Sequence, residues 1–236
     1  MTRPETAPTV DGFVIAIDGP SGTGKSTVAR EVAGRLGAGY LDTGAMYRLV
    51  TLAVLQADLE PTDAVAVTEL LPRITFDTPV SPTPQRHTLA GQDVTAEIRS
   101  PEVTLAVTPV SANPAVRAWL LDRQRRVAHA GRMVVEGRDI GTVIAPDAIL
   151  KIFLTADASV RAGRRHAQNR SGTATLDEHE VAAVAADLDR RDTDDSARAH
   201  APLALAADAV VVDSTGQDVE QTVERILGLA AERGIR

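Results

Sequence analysis

The chain has 236 residues, 44% of them hydrophobic and 24% charged, which suits one large domain or one domain with insertions and excludes a disordered chain, a collagen-like repeat or a disulfide miniprotein. Cysteine is absent, so disulfides and thiolate zinc sites are excluded, and a reducing cytoplasm is the expected setting. The net charge of −7 disfavours non-specific nucleic-acid binding, and no run approaches the ~18 apolar residues of a membrane span.

In chain order, residues 1–12 lack the apolar region of a secretory signal and are expected to form a loose tail. FVIAID, from Phe13 to Asp18, has no polar alternation and reads as a strand buried on both faces. After GPSGTGKS, the spacing of Val28, Val32 and Leu36 predicts an amphipathic helix stopped by Gly37. GYLD is a second strand ending at Asp42, and a helix follows from about Ala45 to Gln56. Residues 13–71 are thus the first part of a core.

Residues 72–107 differ in texture. ITFDT, HTLAGQDVT and prolines 79, 82 and 84 predict short strands and turns, with a hairpin tip at Ala90 to Gln92. This segment reads as a β-rich insertion. The core resumes over 108–157, with a helix from about Pro114 to Ala130 striped by Val116, Leu120, Gln124 and Val127. The strands RMVVE and AILKIFLTA follow. Residues from Ala158 to about Arg198 are helical in pattern with a polar break at NRSGTATLDE, and 158–186 is the candidate flap. Residues 187–236 complete the core with the strand AVVVDS and a final amphipathic helix. Five buried strands alternating with helices predict an α/β fold, a five-stranded parallel sheet covered by helices on both faces. Right-handed crossovers place all strand C-terminal ends on one rim, where ligands bind. Asp18, Asp42, Glu136 and Ser214 close predicted strands and share that rim.

GPSGTGKS matches G-x-x-x-x-G-K-[ST] between a buried strand and a helix, the setting its chemistry requires. Gly19, Ser21, Gly22, Thr23 and Gly24 can curl their backbone N–H groups round a phosphate, with Pro20, which has no N–H, in the same loop. The helix N-terminus beyond, at Lys25, Ser26 and Thr27, favours an anion. Lys25 supplies positive charge to the terminal phosphates, and Ser26 can ligate magnesium. Glu136 suits a water-bridged magnesium ligand or is a surface acid at a strand end. Asp18 is either a second acid of the site or a cap facing the loop. Arg48, Arg138, Arg161, Arg164, Arg165, Arg191 and Arg198 fall in rim segments, and a reaction between two phosphorylated molecules needs such bidentate cations. The five histidines have no metal-binding spacing, and Trp119 and Phe153 read as core.

IAIDGPSGTGKST, LDTGAMYR, the EIR of TAEIRSPEV, EGRDIGTVIAPDAILKIFLTA and RDTDDSARAHAPL, in that order, resemble the bacterial cytidylate kinase family over nearly the whole chain. The resemblance implies a nucleoside monophosphate kinase fold with a monophosphate-binding insertion and a lid. It implies transfer of a phosphoryl group from ATP to CMP or dCMP, with magnesium, by a monomer without nucleic-acid or membrane partners. Carried over by position, it places the CMP phosphate near Arg48, Arg138 and Arg191, with Asp42, Thr43 and Tyr47 beside it. Asp195 would accept from the ribose hydroxyls. Thr108, Arg117, Asp139 and Arg198 would surround the base. ATP would use the glycine loop, a lid arginine (Arg161 or Arg164) and main chain near Ser214 to Gly216. Lys25, Arg138, Arg191 and Arg164 would act on the transferring group. Many members carry Asp where this chain has Glu136, and the flap stretch RSGTATLDEHE has no pattern that aligns. Three competing readings are a P-loop kinase for another small molecule, a GTP switch, which would want an NKxD-like motif that this chain lacks, and a nucleic-acid module using the arginines.

Overall fold

The computed structural model describes residues 12–82, 85–169, 178–198 and 201–236. The expectations for the tail over 1–11, for Pro84 and for the polar break over 170–177 lie outside the described residues.

Strand β1 (Phe13–Asp18) leads through the glycine loop into helix α1 (Lys25–Arg35), and β2 (Gly39–Asp42) into α2 (Thr43–Gln56). A short α3 (Ala64–Leu70) precedes three two-residue strands, β3 (Phe76–Asp77), β4 (Thr88–Leu89) and β5 (Gln92–Asp93). Helices α4 (Pro101–Ala112) and α5 (Pro114–Ala128) then lead to β6 (Arg132–Gly137) and β7 (Leu150–Thr155). The paired helices α6 (Ala158–Asn169) and α7 (Glu178–Ala197) come before β8 (Val210–Asp213) and α8 (Val219–Glu232).

The main sheet is five-stranded and wholly parallel, in the order β2-β6-β1-β7-β8. Each face carries its own core, as the unbroken apolar strands require. Phe13, Ile15 and Ile17 pack with Val28 and Val32 of α1 and with Val223, Ile226 and Ala230 of α8. Val14 and Ala16 point the other way, to Met46, Leu49 and Val50 of α2, Val103 and Val110 of α4 and Val116 and Leu120 of α5. The chain leaves β1 toward β2 on one side, and later crosses from β6 to β7 on the other. That reversal opens the crevice at the C-terminal end of β1, where the glycine loop lies.

Two local expectations need correction. The stretch expected to be β-rich as far as Val107 turns helical at Pro101. Ser100 caps α4 by accepting from the Val103 N–H (3.3 Å), and proline is at home in a first turn. Pro109 lies inside α4, where an interior proline costs ~3 kcal/mol, and packing of Val103 and Val110 against α2 offsets it. The stripe on α5 runs as expected through buried Val116, Leu120 and Gln124 to partly buried Val127, which packs on the same core, with buried Ala128 beside it. Phe153 is half-buried and belongs to neither core, while Trp119 packs against the α2 side. The hairpin tip is as expected: Ala90 and Gly91 both have positive φ, 48° and 81°, as a tight two-residue turn demands.

Candidate active site

The loop from Gly19 to Gly24 curls over the end of β1. Gly19 has φ of 145°, and a Cβ there would stand 2.1 Å from the Leu154 carbonyl oxygen; at Gly22, with φ of 80°, it would stand 2.8 Å from that of Arg161. Only glycine meets both demands. Lys25, the first residue of α1, is buried and donates to the Pro20 carbonyl (2.7 Å), which folds its ammonium back over the loop. Burial, and then the charge of Arg138, lower its pKa, against the opposing pull of Glu136, Asp192 and Asp18. An anion set in the loop would relieve that strain.

A cavity of about 620 Å³ runs from this loop across the sheet rim to the α2–α4 side. At its far end Arg48 is held by the Ile98 carbonyl (3.0 Å) and the Thr104 hydroxyl (2.9 Å). Burial, with the charges of Arg165 and Arg99, lowers its pKa to about 10, so several guanidinium groups converge on one volume. Arg191 donates to the Thr104 carbonyl (3.2 Å) and pairs with Asp187 (2.9 Å). Arg138 bridges the two ends: Nε donates to Asp195 (2.9 Å) and Nη2 to the Ser21 hydroxyl (2.8 Å). Asp195 also pairs with Arg198, which donates to the Ser111 hydroxyl (3.0 Å). Buried Asp139 pairs with Arg117, whose guanidinium lies 5.4 Å from the Tyr47 ring centroid. Burial raises the pKa of Asp139 and the charge of Arg117 opposes the rise.

Glu136 is buried beside the loop and accepts from the Tyr40 hydroxyl (2.6 Å), so it is not a surface acid. Burial, then the negative charge of Asp42, raise its pKa, while Lys25 and the Ser26 hydroxyl lower it. A buried carboxylate next to a second acid and a serine hydroxyl fits magnesium, which takes one or two protein oxygens and completes its shell with phosphates and water. Among the described residues no group of three or more His, Asp or Glu side chains could hold a metal alone. Asp18 is the cap of its two readings. Its carboxylate accepts the Ile140 and Gly141 N–H groups (2.8 Å each) at the π-helical turn after β6.

The cavity brings together most residues singled out in the sequence. Ser21, Gly22, Thr23, Gly24, Lys25, Ser26 and Thr27 line its loop end, with Glu136, Arg138, Arg164 and Ser214. Asp42, Thr43, Tyr47 and Arg48 line the other end, with Thr108, Arg117, Asp139, Arg191, Asp195 and Arg198. Gly19, Pro20, Arg161 and Gly216 are outside the lining. The two flap arginines divide. Arg164 donates to the carbonyls of Thr23 (3.2 Å) and Ser214 (2.8 Å) and faces the cavity, whereas Arg161 turns to the Ser21 carbonyl (3.1 Å) and Asp192. Two contributors escape a reading of the sequence. Arg99, in the EIR segment, lines the cavity and pairs with Asp42 (3.3 Å). Thr104 orients both Arg48 and Arg191 from a helix whose sequence suggests turns. The EIR segment is the one signal that points to Arg99.

A glycine loop at the topological switch of a parallel sheet, opposite a set of convergent arginines, defines a kinase of the P-loop fold. A family model described as Cytidylate kinase matches residues 15–232, and the chain belongs to that family. A cytidylate kinase of Mycolicibacterium paratuberculosis is 50% identical over 93% of this chain and 96% of its own length. One from Rhodococcus opacus is 49% identical over 94% and 96%. An uncharacterized protein from Eubacterium ventriosum shares the fold, with TM-score 0.51 at 13% identity, covering 93% of this chain and 98% of that one.

Proposed function

We propose that this kinase moves the γ-phosphoryl group of ATP to CMP or dCMP, giving ADP and CDP or dCDP. Family membership supports the reaction, and one observation carries the assignment of ends: Arg138 reaches from the Ser21 hydroxyl of the glycine loop to Asp195 on the arginine side. The donor phosphates then sit on the loop and the acceptor phosphate among Arg48, Arg138 and Arg191. Adenine lies toward Ser214 and Arg164. Asp195 takes the ribose hydroxyls, while Thr108, Arg117, Asp139 and Arg198 frame the base. Residues 72–107 act as the acceptor-binding insertion and 158–186 as the lid. The enzyme works as a monomer in the cytoplasm.

The acceptor is already an anion, so no strong base is needed. One of its phosphate oxygens bonds to the γ-phosphorus as the bond to the β–γ bridging oxygen breaks, and ADP leaves with that oxygen's charge. Lys25, Arg138, Arg164 and Arg191 hold the reactants in line and act on charge that grows in the transition state. Ser26 and Glu136 would hold magnesium, which when bound neutralises phosphate charge. Closure of the lid excludes water that would otherwise accept the phosphoryl group. The test is ADP formation with CMP, dCMP, UMP, AMP or no acceptor. Rapid ADP release with CMP and dCMP is expected; a rate indifferent to both would overturn the reading.

A further inference from the structure

Ser21 is engaged on every polar atom by a different segment of the chain. Its N–H donates to Asp192 Oδ1 of α7 (2.9 Å). Its carbonyl accepts from Arg161 of α6 (3.1 Å), and its hydroxyl accepts from Arg138, which follows β6 (2.8 Å). Asp192 closes the group by pairing through Oδ2 with the same Arg161, and the two side chains are only 14% and 12% exposed. None of these bonds is needed to cradle a phosphate. The Ser21 N–H, expected to face a phosphate, is spent on a carboxylate instead, and a charge pair this buried is costly to break from either side.

The position of Asp192 on α7 gives the group its consequence. Arg191, Asp195 and Arg198, the last just beyond the end of α7, stand at i, i+4 and i+7, so they share a stripe, and all three line the cavity. Asp192 lies next to the first of them and holds the donor loop. It also lies within electrostatic reach of Lys25, whose charged form it favours. A shift of α7 as the acceptor is gripped therefore pulls on Ser21, and reordering of the loop round a nucleotide pulls on α7.

We infer that Asp192 is a positioning residue that couples the two substrate sites, clipping the donor loop to the helix bearing acceptor-site residues so that each substrate tightens the other. This rests on the assignment of donor and acceptor ends proposed above. Calorimetric titration of CMP, with and without saturating non-hydrolysable ATP analogue, tests it on wild type, Asp192→Asn and Asp192→Ala. The analogue is expected to lower the Kd for CMP by about fivefold or more in wild type, the lower end of ordinary site coupling. Asp192→Ala should bind each ligand alone yet lose most of that ratio. Asp192→Asn, which still accepts from Ser21 but loses the ion pair, should fall between, and it serves alone if the alanine variant does not fold. Full coupling in the variants, or independent binding in wild type, would overturn the inference. Failure of wild type to bind either nucleotide would instead overturn the functional reading beneath it.

Discussion

At the scale of single residues, the site concentrates charge that is expensive to hold without a ligand. Lys25→Ala should cut turnover by at least about a hundredfold, the usual loss when one preorganised group facing developing charge is removed. Its thermal unfolding should stay close to wild type; a folded variant with normal turnover would remove the loop from the mechanism. Lowering of the Lys25 pKa has a further consequence. The charged form is lost in the free enzyme at a lower pH than for an ordinary lysine, so kcat/KM for ATP should fall early on the alkaline side. Measured kcat should stay flat, because bound phosphate restores the charge. Asp139 is held by Arg117 with its carboxylate deep in the cavity. A carboxylate accepts from the N4 amine of cytosine and repels O4 of uracil. Asp139→Asn can turn an amide N–H toward O4, so the ratio of kcat/KM for CMP over UMP should shrink by about tenfold, the worth of one good hydrogen bond. An unchanged ratio would place base selection on other residues.

At the scale of elements, β1 and the π-helical turn after β6 are tied by one carboxylate. Burial pushes the pKa of Asp18 up to about 6, against the lowering effect of the Gly141 and Ile140 N–H bonds. Between its ordinary value of 3.8 and about 6, the folded chain keeps a proton that the unfolded chain has released. Stability from this group is therefore present below that window and is lost as pH rises through it. Asp18→Asn has no such titration. Comparing the two by urea unfolding, wild type should lose ground by on the order of 2–3 kcal/mol between about pH 4 and pH 7, at ~1.4 kcal/mol for each pH unit between the folded and unfolded pKa values. A constant gap would mean that the two N–H bonds hold the carboxylate ionised throughout.

At the scale of the whole molecule, the small three-stranded sheet must be seated on the main body if the proposed acceptor end is to keep its shape. Phe76 of β3 meets Trp119 of α5 edge to face, with ring centroids 5.9 Å apart. Arg123 covers the Trp119 ring from 3.8 Å. The same helix carries Arg117 two residues before the tryptophan, facing Asp139. An edge-to-face pair contributes ~0.5–1.5 kcal/mol beyond its buried area. Phe76→Ala should accordingly raise KM for CMP by about three- to tenfold while leaving KM for ATP near its starting value. An equal rise in both would show general loosening of the fold instead. Trp119 is the chain's single tryptophan, so its fluorescence reports the seating directly.

Much of this architecture is legible in local patterns. The strand–loop–helix from Phe13 to Arg35 follows from an unbroken apolar run, glycines at loop positions and valines four apart, all of which act over a few residues. Parallel strands then oblige the rim to gather Asp42, Glu136 and Ser214 from distant stretches. Helix α4 is illegible because Pro109 argues against a helix through it, and only packing on α2 outweighs that. Arg161 and Arg164 cannot be told apart by pattern, three residues apart in one helix; which faces the cavity depends on where Asp192 and the end of β8 come to lie. The Ser21–Asp192 bond spans 171 residues. Contacts of that reach depend on how crossovers and helices stack, and no periodicity records them.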